Sequence, residues 1–515
     1  MAKLIVLLSY KYSNHGRNEN NCAELVAEKK KFRIFVKINI FFKRHKPKTN
    51  NRIYKMKKTT MNRRTFLKAG VGTAAVLGIG GGVMHHLNMV DAKGRILIIG
   101  GGAAGCSFAA RLMRRLSNPD ITLIDPADRQ YYQPGFTFIA AGIFKPDEVW
   151  KPMSKCIPSG VKWIKDSVIE LDPVKQTART ASGQMVEYDF LVLTPGLQIN
   201  WDKVEGISRE TLGQGNAHCI YDFMGAQRIW PAIQELVAKG GRGVFTDTYT
   251  KHKCGGAPKK ICMLTEHLAR KEGKRDGVQL DYFCSEKALY DVPLYTPRLL
   301  QIYEERNIGL EVRHRVKGID TLAKKVYLEH YEKVKEKQTD AQGNEIEVER
   351  EIVTPRVEDY DLLSFVPPQS APDFVRNAGL SWTEGKLAKD GWAMVDKKTL
   401  VHLAYPNIVC LGDVAGIPTS KTSSAIRIQL PIAVDNLLSI MQGKEPTKEY
   451  NGYACCPIVT DYGHVLLCEF DYDKNPDISF PFTLQDMSKE QASAWMLKKH
   501  FLKPMFFYGM LNGLM

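Results

Sequence analysis

The chain has 515 residues, 44% hydrophobic and 25% charged, which suits a soluble globular protein of several domains. Its net charge of +16 suggests nucleic acid only until it is located: 16 Lys and Arg against 3 Glu place +13 in the first 60 residues, and no nucleic-acid-binding motif accompanies them. Eleven cysteines are too few for a disulfide scaffold, and the absence of any CxxC excludes a thioredoxin-type site and a zinc ribbon.

Residues 1–60 have a weak pattern with Lys-rich stretches and read as a non-native extension, with translation starting at Met56 or Met61, or else as a disordered basic arm. Met61-Asn62-Arg63-Arg64-Thr65-Phe66-Leu67-Lys68 precedes an apolar, Gly-rich run over residues 69–84. Paired arginines before a short apolar stretch read as a twin-arginine export signal over residues 61–92, too short and Gly-rich for a spanning helix. The expectation is export to the periplasmic face of the cytoplasmic membrane.

The globular part opens with the strand Arg95-Ile96-Leu97-Ile98-Ile99, the turn Gly100-Gly101-Gly102-Ala103-Ala104-Gly105, a helix to about Leu116, and a second strand ending in Asp125. This βαβ unit carries the dinucleotide fingerprint in its required context. Gly100 permits the tight turn, Gly102 lets backbone approach a pyrophosphate, and Gly105 lets helix and strand pack closely. The helix N-terminus offers free N–H groups to the phosphates, and Asp125 can accept both ribose hydroxyls.

Phe190-Leu191-Val192-Leu193-Thr194-Pro195-Gly196 is a further strand and turn, and Asn407-Ile408-Val409-Cys410-Leu411-Gly412-Asp413 a late strand ending in Gly-Asp. Together with the first fingerprint these resemble the two-dinucleotide-domain flavoproteins of the glutathione-reductase type. The resemblance implies an α/β fold with two Rossmann-like domains, FAD as cofactor, and Ala104, Thr194, Gly196, Gly412 and Asp413 beside it. Expected boundaries are 93–205 and 361–432 for the FAD-binding domain, 206–360 for the second Rossmann-like domain, and 433–515 for a C-terminal region.

Members that use NADH carry a second fingerprint after a central strand. Here Gly243-Val244-Phe245-Thr246 is followed by Asp247-Thr248-Tyr249-Thr250-Lys251-His252-Lys253-Cys254-Gly255-Gly256. Side chains crowd the place where a pyrophosphate needs bare backbone, so no nicotinamide binding is expected. Cys254, set among Lys251, His252, Lys253, Lys259 and Lys260 and ahead of a helix over residues 258–270, is a candidate thiolate.

Lys253-Cys254-Gly255-Gly256-Ala257-Pro258-Lys259-Lys260 resembles the KCAGAPxK signature of sulfide:quinone oxidoreductases, in the branch shared with mitochondria. Tyr131-Tyr132-Gln133-Pro134 is similar to that branch's YYQP, Pro418-Thr419-Ser420-Lys421-Thr422 to its PTSKT, and Gly452-Tyr453-Ala454-Cys455-Cys456-Pro457 to its GYTSCP. The resemblance implies oxidation of sulfide through a Cys254–Cys456 disulfide, a persulfide on Cys456, electrons passed through FAD to a quinone, and release of sulfur to sulfide, sulfite or a thiol. Cys455 competes with Cys456, but the residue before the proline favours Cys456. Lys421 is expected at the flavin's anionic edge, and Gln133 on either the flavin or the adenine side of the cofactor. Gly255 stands where the signature has Ala. A charged insert near residues 333–351 reads as a solvated hairpin or loop.

Ser488 with Gln491 reads as a capping box, and the following alternation of apolar residues and lysines suits an interfacial membrane helix over residues 488–511. A core-packing helix or a dimer seam is the alternative, and a homo-oligomer stays open. Competing functions are a sulfide dehydrogenase flavoprotein feeding a separate cytochrome, an NADH:quinone reductase, and a non-catalytic FAD-bearing sulfur carrier.

Overall fold

In the computed structural model residues 89–339 and 345–515 are described. The basic arm and the twin-arginine motif lie outside them. The first Rossmann unit is built from β1 (Arg95–Ile99), α1 (Ala103–Met113), β2 (Asp120–Ile124), β3 (Lys162–Ile164) and β4 (Phe190–Leu193). β1 is buried from Ile96 to Ile99 and pairs in parallel with β2 on one side and β4 on the other. A strand buried on both faces needs a continuous apolar run, which explains why its sequence does not alternate.

The second unit holds β5 (Ala217–His218), α2 (Phe223–Lys239), β6 (Gly241–Thr246), α3 (Ala257–Lys271), β7 (Val278–Phe283) and β8 (Gly309–Glu311). A three-stranded antiparallel sheet of β9 (His314–Asp320), β10 (Lys325–Thr339) and β11 (Glu345–Asp359) follows, and then β12 (Leu362–Ser364). The second parallel sheet runs β5-β12-β6-β7-β8, and the last of its strands along the chain, β12, falls beyond the boundary expected at 360. β13 (Ile408–Cys410) returns to the first sheet, giving β13-β4-β1-β2-β3. The FAD-type domain is therefore assembled from two separated stretches of chain.

The charged insert is a hairpin. β10 and β11 pair from Lys325–Asp359 to Thr339–Glu345, while β9 covers β10 only as far as His330. The outer ribbon carries exposed Lys333–Glu349, Lys335–Glu347 and Lys337–Glu345 pairs.

After α4 (Ser423–Met441) come β14 (Ala454–Asp461) and β15 (His464–Phe470), an antiparallel pair. Alternation along β14 sends Ala454, Cys456 and Ile458 into the core around α3 and Cys455 and Val459 into the core around β1. The expected capping box does not form: Ser488 Oγ donates to Asp486, as does the backbone N–H of Ser488, and the helix begins at Ala492. Residues 492–512 then run as short α, π and 3-10 pieces. Pro504 lacks the N–H a regular α-turn needs, and a wider turn follows it. Trp495, Phe506, Phe507, Met510 and Leu511 are buried in the main core, so one face of this segment is core packing, as the alternative reading held. Met496, Phe501, Tyr508 and Leu514 remain exposed. No helix among the described residues is long and apolar enough to cross a membrane.

Candidate active site

A cavity of about 400 Å³ joins the fingerprint turn to Cys254. At its first end Gly100 has φ +94°, and a Cβ there would lie 2.3 Å from Thr194 O; at Gly105 it would lie 1.9 Å from Gly100 O. Both positions therefore exclude every larger residue. A Cβ at Gly102 or Gly196 would meet no atom within 4 Å, so the bare backbone at these points faces open space. Thr194 Oγ1 fastens the turn by donating to Ile99 O and Gly100 O, at 3.0 and 2.9 Å.

Asp125 accepts from Gly101 N (2.6 Å) and Ala127 N (2.7 Å) and lines the cavity. Burial raises its carboxyl pKa against those two bonds. α1 begins without a side-chain cap, leaving its N-terminal N–H groups and positive dipole end available. A dinucleotide fits this end: bare backbone for a pyrophosphate, helix N–H groups for its oxygens, and a carboxylate at ribose distance along the next strand.

Ala104, Gln133, Gly412, Asp413 and Lys421 line the same cavity. Gly412 N donates to Gln429 at 2.9 Å, which fixes the late Gly-Asp turn. Burial raises Asp413, with Lys253 and Lys421 opposing. Lys421 Nζ donates to Asp413 O (2.6 Å) and Ala415 O (3.0 Å) and sits 3.7 Å from the Trp392 ring centre. Burial lowers its pKa to about 7. Its ammonium is thus tied to its own loop as well as bordering the cavity. Sequence reasoning passed over Gln130, whose buried amide can donate to Gly101 O (3.3 Å) and accept from Ala103 N (3.1 Å); a lone glutamine carries no motif signal.

At the other end, Cys254 Sγ and Cys456 Sγ are 3.6 Å apart, although 202 positions separate them in sequence. The Cys254 turn is held from several sides: its N–H donates to Lys421 O (2.8 Å), and its carbonyl accepts from Ala257 N (2.8 Å) and Tyr221 Oη (3.1 Å). Cys254 has φ +46°, a left-handed conformation that is strained for a residue with a side chain. Gly256 makes the approach of the sulfurs possible, since a Cβ there would lie 2.6 Å from Cys456 Sγ. At Gly255 a Cβ would come 3.3 Å from His252 Nε2, so the methyl group missing from the signature here leaves room for an imidazole.

The Cys456 thiol as hydrogen-bond partner, and then the ammonium of Lys260 3.3 Å away, hold Cys254 well below the ordinary thiol range against the effect of burial. The same bond and burial push Cys456 well up. Cys254 is therefore the thiolate of the pair. Cys455 points to the opposite face of β14 and lines the cavity, whereas Cys456 is the one that approaches Cys254.

Of the basic residues around Cys254, Lys260 touches the sulfur, Lys253 lines the cavity and Lys251 is exposed. Lys259 turns away. Its Nζ donates to Asp247 (3.0 Å), Gly255 O (3.1 Å) and Tyr282 (3.2 Å), while Ser285 N donates to Asp247 at 2.7 Å. Asp247 and Lys259 are thus spent on one another. Lys498, which no motif flags, is 2% exposed and lines the cavity, its pKa lowered to about 7 by burial and then by repulsion from Lys260.

The pyridine nucleotide-disulphide oxidoreductase family signature matches residues 94–226. The chain is 34% identical over 420 residues to the mitochondrial sulfide:quinone oxidoreductase of Dictyostelium discoideum, covering 81% of this chain and 86% of that one. It is 32% identical over 418 residues to the mitochondrial enzyme of that name from Mus musculus, with the same coverage. Its fold is similar to the solved sulfide:quinone oxidoreductase of Aquifex aeolicus, with a TM-score of 0.62, 22% identity, and coverage of 82% of this chain and 92% of that one. The two relatives named as mitochondrial overturn the expectation of twin-arginine export to the periplasm. Paired arginines before an apolar run are a short pattern that a basic leader can meet by composition alone.

Proposed function

The chain belongs to the sulfide:quinone oxidoreductase family, and from that premise we propose that Cys254 and Cys456 are its redox pair, reached by sulfide and emptied toward a quinone through FAD. The protein is an FAD-dependent oxidoreductase that oxidises sulfide and reduces quinone. The observation that carries the assignment of residues is the 3.6 Å approach of the two sulfurs, with Lys260 beside Cys254, on the cavity that also reaches Gly102.

In the oxidised enzyme the pair forms a disulfide. Hydrosulfide attacks Cys456 Sγ, a persulfide forms there, and Cys254 leaves as a thiolate. Lys260 stabilises that leaving group, and a low-pKa thiol leaves faster than an ordinary one. When bound, FAD supplies the two-electron carrier between thiolate and quinone. Gly100, Gly102, Ala104, Asp125, Gln133, Thr194, Gly196, Gly412, Asp413 and Lys421 would hold that group, Gly105 keeping the turn close-packed beneath it, with Lys421 and Lys253 bordering it. The sulfane sulfur leaves Cys456 to sulfide, sulfite or a thiol. The exposed Met496, Phe501, Tyr508 and Leu514 face a membrane surface, where a lipid-soluble quinone is met.

The test is the flavin absorbance of the purified protein under argon. Sulfide bleaches it with a long-wavelength charge-transfer band, decyl-ubiquinone restores it, and Cys254→Ser loses the band together with at least about a thousandfold of turnover. Unimpaired bleaching of Cys254→Ser by sulfide would sink the cysteine assignment, and bleaching by NADH would overturn the reading of the central domain.

A further inference from the structure

Beyond the pair lies a third thiol that the reaction above does not use. Cys468 of β15 is the direct cross-strand partner of Cys456 of β14. Opposed residues of an antiparallel pair project from the same face, with Cα atoms about 4.5 or 5.5 Å apart according to the type of site, and both separations suit a disulfide. Cys456 and Cys468 do share a face, since both enter the core around α3, and they are 2% and 0% exposed. Cys456 thus stands between two thiols, Cys254 across the interface with α3 and Cys468 across the strand pair. A second observation marks the same place. The Tyr290 hydroxyl lies beside Cys468 as a hydrogen-bond partner of its thiol, favouring the thiolate against the burial that pushes this thiol well up.

We propose that Cys468 is a third member of the redox centre, an alternative disulfide partner to which Cys456 can transfer its bond. This rests on the reading of Cys254 and Cys456 as the working pair. The Cys468 sulfur attacks Cys456 Sγ, and its proton passes to the departing Cys254 sulfur, which lines the cavity and releases it to solvent. The Cys456–Cys468 bond forms as the Cys254–Cys456 bond breaks, and Cys254 is left as a thiolate opposite Lys260. One disulfide is exchanged for another, so no outside oxidant or reductant is needed. The exchange places Cys254 at the cavity in its thiolate form without sulfide, and stores the Cys456 sulfur in a link buried at both ends. That state protects Cys456 from over-oxidation when substrate is scarce. Attack of the Cys254 thiolate on Cys456 Sγ reverses it, the Cys254–Cys456 bond re-forming as Cys468 departs and regains a proton.

The experiment maps disulfides in the FAD-loaded enzyme after oxidation with diamide, acid quenching, alkylation and digestion without reduction. In Cys254→Ser the peptide pair linking Cys456 to Cys468 is expected at no less than about five times its wild-type level, because the competing partner is gone; in Cys468→Ser it is absent. The same link is expected in reduced wild-type protein whose Cys254 has first been blocked with iodoacetamide at pH 6, which avoids any substitution. Alkylated Cys456 and Cys468 in both samples after diamide would overturn the proposal. Failure of the working-pair reading shows separately, as the absence of a Cys254–Cys456 peptide from oxidised wild type and Cys468→Ser.

Discussion

At the scale of single residues, two lysines favour the Cys254 thiolate while their own pKa values are moved in opposite directions. Lys260 lies 3.3 Å from Cys254 Sγ and favours its thiolate. Lys260→Met removes that cation, so the pH at which Cys254 becomes alkylated rises by about one to two units. Iodoacetamide rates measured from pH 5 to 9 read this directly, and an unmoved profile would leave Lys260 no part in it. Lys498 is a buried cation without an acid beside it. Its folded pKa, about 7, lies below its ordinary 10.5, so the unfolded chain binds this proton more tightly than the folded one. The resulting destabilisation is full below pH 7 and fades as pH rises toward 10.5. Lys498→Met should therefore raise the melting temperature at pH 6.5 and give little gain at pH 10. Thermal unfolding at both pH values tests the sign.

At the scale of elements, turns and helix starts do most of the positioning. The Cys254 turn was legible because Cys, Gly, Gly and Pro stand together: Gly256 admits the Cys456 sulfur, and Pro258 lies in the first turn of α3. The C-terminal segment was half legible. Its apolar period pointed to a helix, but periodicity cannot say whether an apolar face meets lipid or protein, and Trp495, Phe506 and Phe507 meet protein. The capping box failed because Asp486 offers Ser488 a nearer acceptor. The β10–β11 ribbon was legible as a solvated element. Its exposed ion pairs are worth only about 0.5 kcal/mol each. Replacing residues 333–351 by a two-residue turn should leave sulfide-to-quinone turnover within about twofold, whereas a loss above tenfold would give the ribbon a part in catalysis.

At the scale of the whole molecule, the cavity runs from the fingerprint of the first domain to Cys254, and the C-terminal segment forms part of its wall through Lys498, Phe506 and Met510. That wall also presents Met496, Phe501 and Tyr508 outward. Changing these three to Gln should lower binding to lipid vesicles by about a hundredfold, at roughly 1 kcal/mol for each side chain withdrawn from lipid, while bleaching by sulfide persists. Flotation with vesicles beside the anaerobic titration separates the two effects. Unchanged flotation would remove the membrane reading and leave the redox site untouched.

The sequence by itself determined the first Rossmann turn and the cofactor class, and singled out Cys254 as a candidate thiolate. Each is written in a short motif whose glycines and acids have local steric or hydrogen-bonding reasons to be there. It also suggested a periplasmic destination that the relatives overturned, because two arginines and an apolar run carry little information. Tertiary structure alone decided that Cys456 rather than Cys455 meets Cys254, that Lys260 touches the sulfur while Lys259 is drawn away by Asp247, and that Lys498 and Cys468 approach the redox centre. Those outcomes depend on strand face, cross-strand register and the packing of α3 against β14. They join residues up to 244 positions apart, and no local pattern encodes them.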